Sequence, residues 1–153
     1  MKKFFLLLLT ATFFIACEGP EGPPGRDGYD GTDMRRVIQD FEILSSDWRE
    51  VRDNNGLFIR YEYVFNFDQL TEYVYNNGLY AAYLEVVEDG FLVQKSLPYT
   101  TTHEDSRGYL WEQRLDCDYS TGSVGFYVTN TDFREERPGT LLMRFIAVWW
   151  VTD

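Results

Sequence analysis

The one histidine of the 153-residue chain is His103, in Thr102-His103-Glu104-Asp105. An imidazole beside two carboxylates has the donor types to ligate a metal or move a proton. Standing alone in a polar stretch, it reads more simply as a loop histidine. Asp116 and Asp118 flank Cys117. Paired carboxylates work as acid and base only where a cleft brings them together. Here they alternate with Trp111, Leu115, Cys117 and Tyr119, which puts the acids on the solvated face of a strand. The same alternation turns Cys117 toward the core, and flanking negative charge raises a thiol's pKa and blunts it as a nucleophile. No phosphate-cradling glycine loop, nucleophile elbow or histidine-rich metal motif occurs. The expectation is no catalytic residues, no metal and no cofactor.

Cys17 has different surroundings. Lys2 and Lys3 precede an apolar run of 13 residues, Phe4 to Ala16, that ends at this cysteine. A basic start, a short apolar stretch and a small residue at the boundary are the parts of an export signal, and the run is too short to span a bilayer comfortably. Phe14-Ile15-Ala16-Cys17 resembles the bacterial lipobox, with Phe14 where leucine is usual. Residues 1–16 are therefore expected to be a lipoprotein signal peptide and Cys17 the lipidated terminus. Several acyl chains on one residue attach a protein stably where one chain is marginal. Cys117 then has no partner for an intramolecular disulfide, so the core must hold the fold.

Residues 17–33 carry the lipidated cysteine and a spacer. Gly19, Gly22, Gly25, Gly28 and Gly31 recur every third residue through GPE-GPP-GRD-GYD-GTD. This is the collagen-like Gly-X-Y pattern, in which only glycine fits at the axis of three packed strands. Five triplets are few, however, and prolines occur only at 20, 23 and 24. Asp27, Asp30 and Asp33 would stack like charges in a parallel trimer. A disordered or polyproline-like monomeric stalk is expected over a trimeric one, with a reach of about 50 Å when extended. The aspartates could suggest calcium, but the run lacks the grammar of an EF-hand loop and reads as a solvated acidic spacer.

Residues 34–153 read as a single all-β domain. Val37, Phe41 and Ile43 share a face opposite Asp40 and Glu42. Trp48–Arg52 and Leu57–Asn66 flank Asn54-Asn55-Gly56, a hairpin signal, with Leu57, Ile59, Tyr61, Tyr63 and Phe65 alternating along the second strand. Asp68–Asn77 reads as a short helix capped by Asp68, presenting Leu70, Tyr73 and Val74 on one face and stopped by Gly78. Leu79–Glu88 and Phe91–Leu97 pair around Asp89-Gly90, Pro98 to Gly108 reads as a polar loop, and Tyr109–Tyr119 alternates again. Thr121-Gly122 turns into Val124–Thr129, and Asn130 to Gly139 forms a second loop. Thr140–Val151, with Arg144 its only charge, is apolar enough to lie centrally and be buried on much of both faces. The expectation is an antiparallel β-sandwich of seven or eight strands with one short helix, and a small β-barrel as the alternative.

With its lipobox, glycine-triplet spacer and aromatic β-domain, the chain resembles collagen-like lipoproteins of Gram-negative bacteria, a group without an established activity. The resemblance implies a lipid-anchored protein of the cell envelope, at the outer membrane, and transfers no catalytic residue.

The formal charge of −11 becomes −13 without Lys2 and Lys3, which argues against nucleic acid. The expected partners are the membrane, through lipid on Cys17, and an unknown protein or glycan. Tyr61, Tyr63, Tyr73, Tyr75, Tyr80, Tyr83, Tyr99 and Tyr109 exceed what a small core readily absorbs. Exposed rings could stack on sugars or anchor a partner, although packing with hydroxyls at the rim is the commoner arrangement. The leading expectation is a non-enzymatic binding or assembly module on a short spacer. Its rivals are a carbohydrate-binding module with a flat row of exposed rings, a small carboxylate-dependent hydrolase with convergent acids, and a trimeric collagen-like structural stalk.

Overall fold

The computed structural model describes residues 33–151. The export signal, Cys17 and the spacer glycines at 19, 22, 25, 28 and 31 lie outside the described residues. Among those described, no helix is long and apolar enough to cross a membrane.

Among the described residues, nine strands form two antiparallel sheets. In chain order they are β1 (Met34–Ile43), β2 (Arg49–Arg52), β3 (Phe58–Asn66), β4 (Leu79–Glu88), β5 (Phe91–Ser96), β6 (Tyr99–Glu104), β7 (Leu110–Ser120), β8 (Ser123–Asn130) and β9 (Leu141–Trp150), with the single helix α1 (Glu72–Asn77) between β3 and β4. One sheet has the order β1-β9-β4-β5 and the other β2-β3-β8-β7-β6. Both are open, so the architecture is the sandwich and not the barrel. Between them pack Ile43, Trp48, Phe126, Phe145, Met143 and Leu70, all nearly excluded from solvent. Phe41 meets Phe65 at 4.1 Å and Phe67 meets Phe145 at 5.7 Å, so aromatic rings supply much of the apolar area that stabilises the domain.

The hairpins form where their turn residues point. Asp89 and Gly90 both have positive φ, at 51° and 84°, the backbone that a tight two-residue connection between β4 and β5 requires. Four details differ from the expectation. The stretch expected as a loop from Pro98 to Gly108 contains β6, an edge strand on β7. Tyr99, Thr101 and His103 are half-buried while Thr100, Thr102 and Glu104 are exposed. Threonines satisfy the pleat through β-branching without adding an apolar alternation to the sequence.

In β3 the buried positions are Phe58 and Tyr61, whereas Leu57 and Ile59 face solvent. Val51 pairs with Arg60 and Arg52 with Phe58, which leaves Ile59 as an extra residue. Such a bulge reverses the inward parity of everything before it. On the opposite face Glu62 is buried too, through ion pairs with Arg49 and Arg60.

The helix begins at Glu72 and its cap is Thr71, whose hydroxyl accepts from the Val74 amide at 3.3 Å. Asp68 is excluded because its neighbours are engaged elsewhere: the Phe67 amide donates to the Gly122 carbonyl and the Gly122 amide to that of Leu70, both at 2.8 Å. Leu70 and Val74 are buried as expected, but Tyr73 is exposed.

Finally, β9 is central, between β1 and β4, yet only Met143, Phe145 and Ala147 are fully buried. Its other face carries exposed Leu142 and Trp150, with Arg144 bridging Asp40 and Glu85. No second layer covers that face among the described residues.

Candidate binding site

Three strands and one loop build the most elaborated surface feature. On the outer face of the five-stranded sheet, Thr100 of β6 stands opposite Arg114 of β7, which stands opposite Thr129 of β8. Thr102 and Glu112 form the next cross-strand pair. After β8 the chain leaves the sheet through Thr131–Phe133, a short 3-10 turn, and crosses to β9 in the four-stranded sheet. Together these residues enclose an open concavity of about 650 Å³, lined by Thr100, Glu112, Arg114, Asp116, Thr129, Asp132 and Phe133.

The loop is held from many sides. Asn130 is only 3% exposed. Its amide nitrogen donates to the carbonyls of Arg134 and Glu136 at 3.0 and 2.9 Å, and its oxygen accepts from Gln113 at 3.1 Å. The Glu112 amide donates to the Thr131 hydroxyl at 2.9 Å. Arg134 pairs with Asp105 at 3.1 Å and lies over the Trp111 ring at 5.5 Å. Further along, the Tyr61 hydroxyl donates to the Glu135 carbonyl, Arg52 pairs with the Glu135 carboxylate, and Arg137 donates to the carbonyls of Ser45 and Trp48.

What this scaffold displays is Phe133. The residue is 72% exposed, and both Asp132 and Phe133 have positive φ, at 60° and 53°. For an L-residue this conformation costs roughly 1–2 kcal/mol, and it persists only where the surroundings over-determine it. Phe133 also lines a second cleft of about 330 Å³ with Leu57, Phe58 and Ile59. It is thus a ridge between a polar concavity and an apolar one.

Charge at the polar concavity is mostly negative. Arg114 is held by Asp116 at 2.9 Å, while Glu112 and Asp132 are exposed. Nearby, backbone amides of Tyr109 and Arg107, with help from Arg134, hold the Asp105 carboxyl below its ordinary range. The Arg52 guanidinium does the same for Glu135. Carboxylates of these kinds serve as fixed acceptors and ion-pair partners. A general acid near neutral pH needs the opposite perturbation.

The residues singled out from sequence are distributed widely. His103 sits on edge strand β6, its ring stacked on Trp111 at 4.5 Å and its Nε2 buried without a hydrogen-bond partner. Among the described residues no three His, Cys, Asp or Glu side chains group as metal ligands. Glu104 is exposed, and Asp105 organises its own turn. Asp116 and Asp118 face outward as expected, Asp118 accepting from the Tyr127 hydroxyl at 2.7 Å. Cys117 is half-buried and lines a small cavity of about 130 Å³ with Tyr80, Leu97 and Phe145. Burial, then Asp118 and Asp116, push its thiol up to about 12.

Of the eight tyrosines singled out from the sequence, Tyr61 is buried, Tyr63, Tyr80, Tyr83 and Tyr99 are half-buried, and Tyr73, Tyr75 and Tyr109 are exposed. Tyr119 meets Tyr80 at 37° and Tyr75 at 68°, a tilted cluster and not a flat row. Phe133 is an exposed aromatic that borders the polar concavity, within the stretch that the sequence reads as a loop. Its signal was an aromatic residue directly after Asn130-Thr131-Asp132, where Asn and Asp tolerate the left-handed backbone.

Another concavity, of about 740 Å³, is lined by Gln69, Thr71 and Val74 with Arg35, Arg36 and Trp149 from the ends of β1 and β9. No protein-family model, curated protein or solved structure matches the chain.

Proposed function

We propose that the protein is a lipoprotein of the cell envelope, anchored at the outer membrane through lipid on Cys17. In this reading the glycine-triplet spacer carries one β-sandwich that serves as a non-enzymatic recognition module. The anchor rests on the coincidence of a basic start, an apolar run and Ala16-Cys17. The recognition role rests on one observation: Phe133 is exposed on a strained backbone that a buried asparagine and several ion pairs hold in place. Glycine would adopt that positive φ without strain, but would present no ring. Exposed or ion-paired acids around the concavity favour binding over hydrolysis.

Detergent-phase partitioning of wild type and Cys17→Ser tests the anchor. The wild type should enter the detergent phase and incorporate labelled fatty acid. The variant should do neither and should move to the aqueous phase. A Cys17→Ser protein that still partitions into detergent overturns the lipid anchor.

A further inference from the structure

We propose that the concavity beside Phe133 binds a neutral saccharide chain, with the Phe133 ring as its stacking platform. The inference rests on the recognition-module reading and names the ligand class of the same site.

A sugar ring is an unusual solute, apolar on one face and hydroxylated around its edge. The surface here is complementary in both respects. Phe133, 72% exposed as a residue, offers the flat apolar face of its ring. Around it, Thr100, Glu112, Arg114 and Thr129 offer hydroxyl, carboxylate and guanidinium groups from three adjacent strands. Strands about 4.8 Å apart present such groups as a regular array.

Charge narrows the class. The cation that lines the concavity, Arg114, is neutralised by Asp116, and Glu112 and Asp132 add negative charge. An anionic glycan would meet unpaired carboxylates and is disfavoured, whereas uncharged hydroxyls can donate to all of them. A wholly apolar peptide would suit the cleft of Leu57 and Ile59 but would leave the polar concavity's groups desolvated and unpaired.

Rigidity completes the argument. A saccharide gains little from each contact, so a site that orders itself on binding loses most of that gain. This loop is already ordered, by the Asn130 bonds to Arg134 and Glu136 and by the Arg134–Asp105 pair.

The test is affinity electrophoresis of the full mature lipidated protein in neutral detergent. The gels contain soluble glucan, mannan, galactan or xylan, with polygalacturonate as the anionic contrast. At least one neutral polysaccharide should retard the wild type, and more strongly than polygalacturonate does. Phe133→Ala and Phe133→Gly should weaken that retardation tenfold or more, and Phe133→Trp should keep it. The thermal midpoints of all variants show that they are folded.

No retardation by any neutral polysaccharide, stronger retardation by polygalacturonate, or unchanged retardation of Phe133→Ala overturns the inference. A second arm places p-benzoylphenylalanine at position 133 in cells. Crosslinking to a protein without glycan retardation overturns the saccharide and leaves the recognition module standing. Neither crosslink nor retardation overturns both.

Discussion

The side-chain amide of Asn130 reaches across its own loop to the carbonyl oxygen of Glu136, at 2.9 Å, and closes the segment that carries Phe133. The bond is part-buried, Asn130 itself being 3% exposed. It is one of several ties on the loop, beside the Arg134–Asp105 pair and the Arg52–Glu135 pair.

Asn130→Ala leaves the carbonyls of Arg134 and Glu136 and the Gln113 amide without their partner. The expected cost is about 1–2 kcal/mol, because the freed groups are only partly shielded and can turn to water. Urea denaturation measures it. Asn130→Asp keeps the acceptor for Gln113 but loses both donors, and should be nearly as damaging. A loss of under about 0.5 kcal/mol in the alanine variant would show that the loop is held by other means.

Phe133→Gly separates stability from binding. The ring is mostly in water, so little burial is lost, and glycine adopts positive φ without the Cβ penalty. Folding stability should stay level or rise by about 1 kcal/mol, the relief of strain being offset by a looser unfolded chain. Thermal melts decide this. Destabilisation by more than about 1 kcal/mol would mean that the ring packs in solution.

Cys117 gives an alkaline signature. Its thiol is pushed up to about 12 by burial and by Asp118 and Asp116. The unfolded value is about 8.5. A group whose pKa is raised on folding binds its proton more tightly in the native state. Its contribution is therefore complete below about pH 8.5 and is lost as pH rises toward about 12. Tyr127, also pushed up to about 12 by burial and its bond to Asp118, adds to the upper part of the same fall. Cys117→Ser should flatten the decline of the melting midpoint between about pH 8.5 and 10, leaving the Tyr127 part. An unchanged slope would place the thiol in solvent. For the same reason the native thiol should label slowly with a bulky disulfide reagent at pH 8 and rapidly once unfolded.

Gly78 ends α1 for a steric reason. Its φ is −88°, which any residue adopts, but a Cβ there would lie 2.7 Å from the Val74 carbonyl and 2.7 Å from the Tyr80 hydroxyl. The carbonyl belongs to the helix backbone and cannot swing away. Gly78→Ala should cost about 2 kcal/mol, the range for overpacking a tight contact, as read from chemical denaturation. A neutral result would show that the helix end shifts freely.

Local signals were enough for much of this protein. The period-2 patterns of β1 and β7, the Asp89-Gly90 turn and the Gly78 stop depend on a few neighbouring residues, and each forms where those residues indicate. The central place of β9 also follows from its apolar content. The tertiary structure alone decided matters that depend on residues far apart in the chain. The mostly polar run from Tyr99 to Glu104 became β6 because β7 was there to pair with it, beginning with Tyr99 opposite Leu115. Phe58 turned inward because a bulge against β2 reversed the parity of its strand. Thr71 displaced Asp68 as the cap because Gly122 had taken the backbone groups of Phe67 and Leu70. The candidate site is the extreme case. It needs Thr100, Glu112 and Phe133 side by side, and its loop is fixed by Asp105 and Arg134 from either side of two strands. Hydrogen bonds and ion pairs of that range leave no period in a sequence, so only the folded chain shows that they meet.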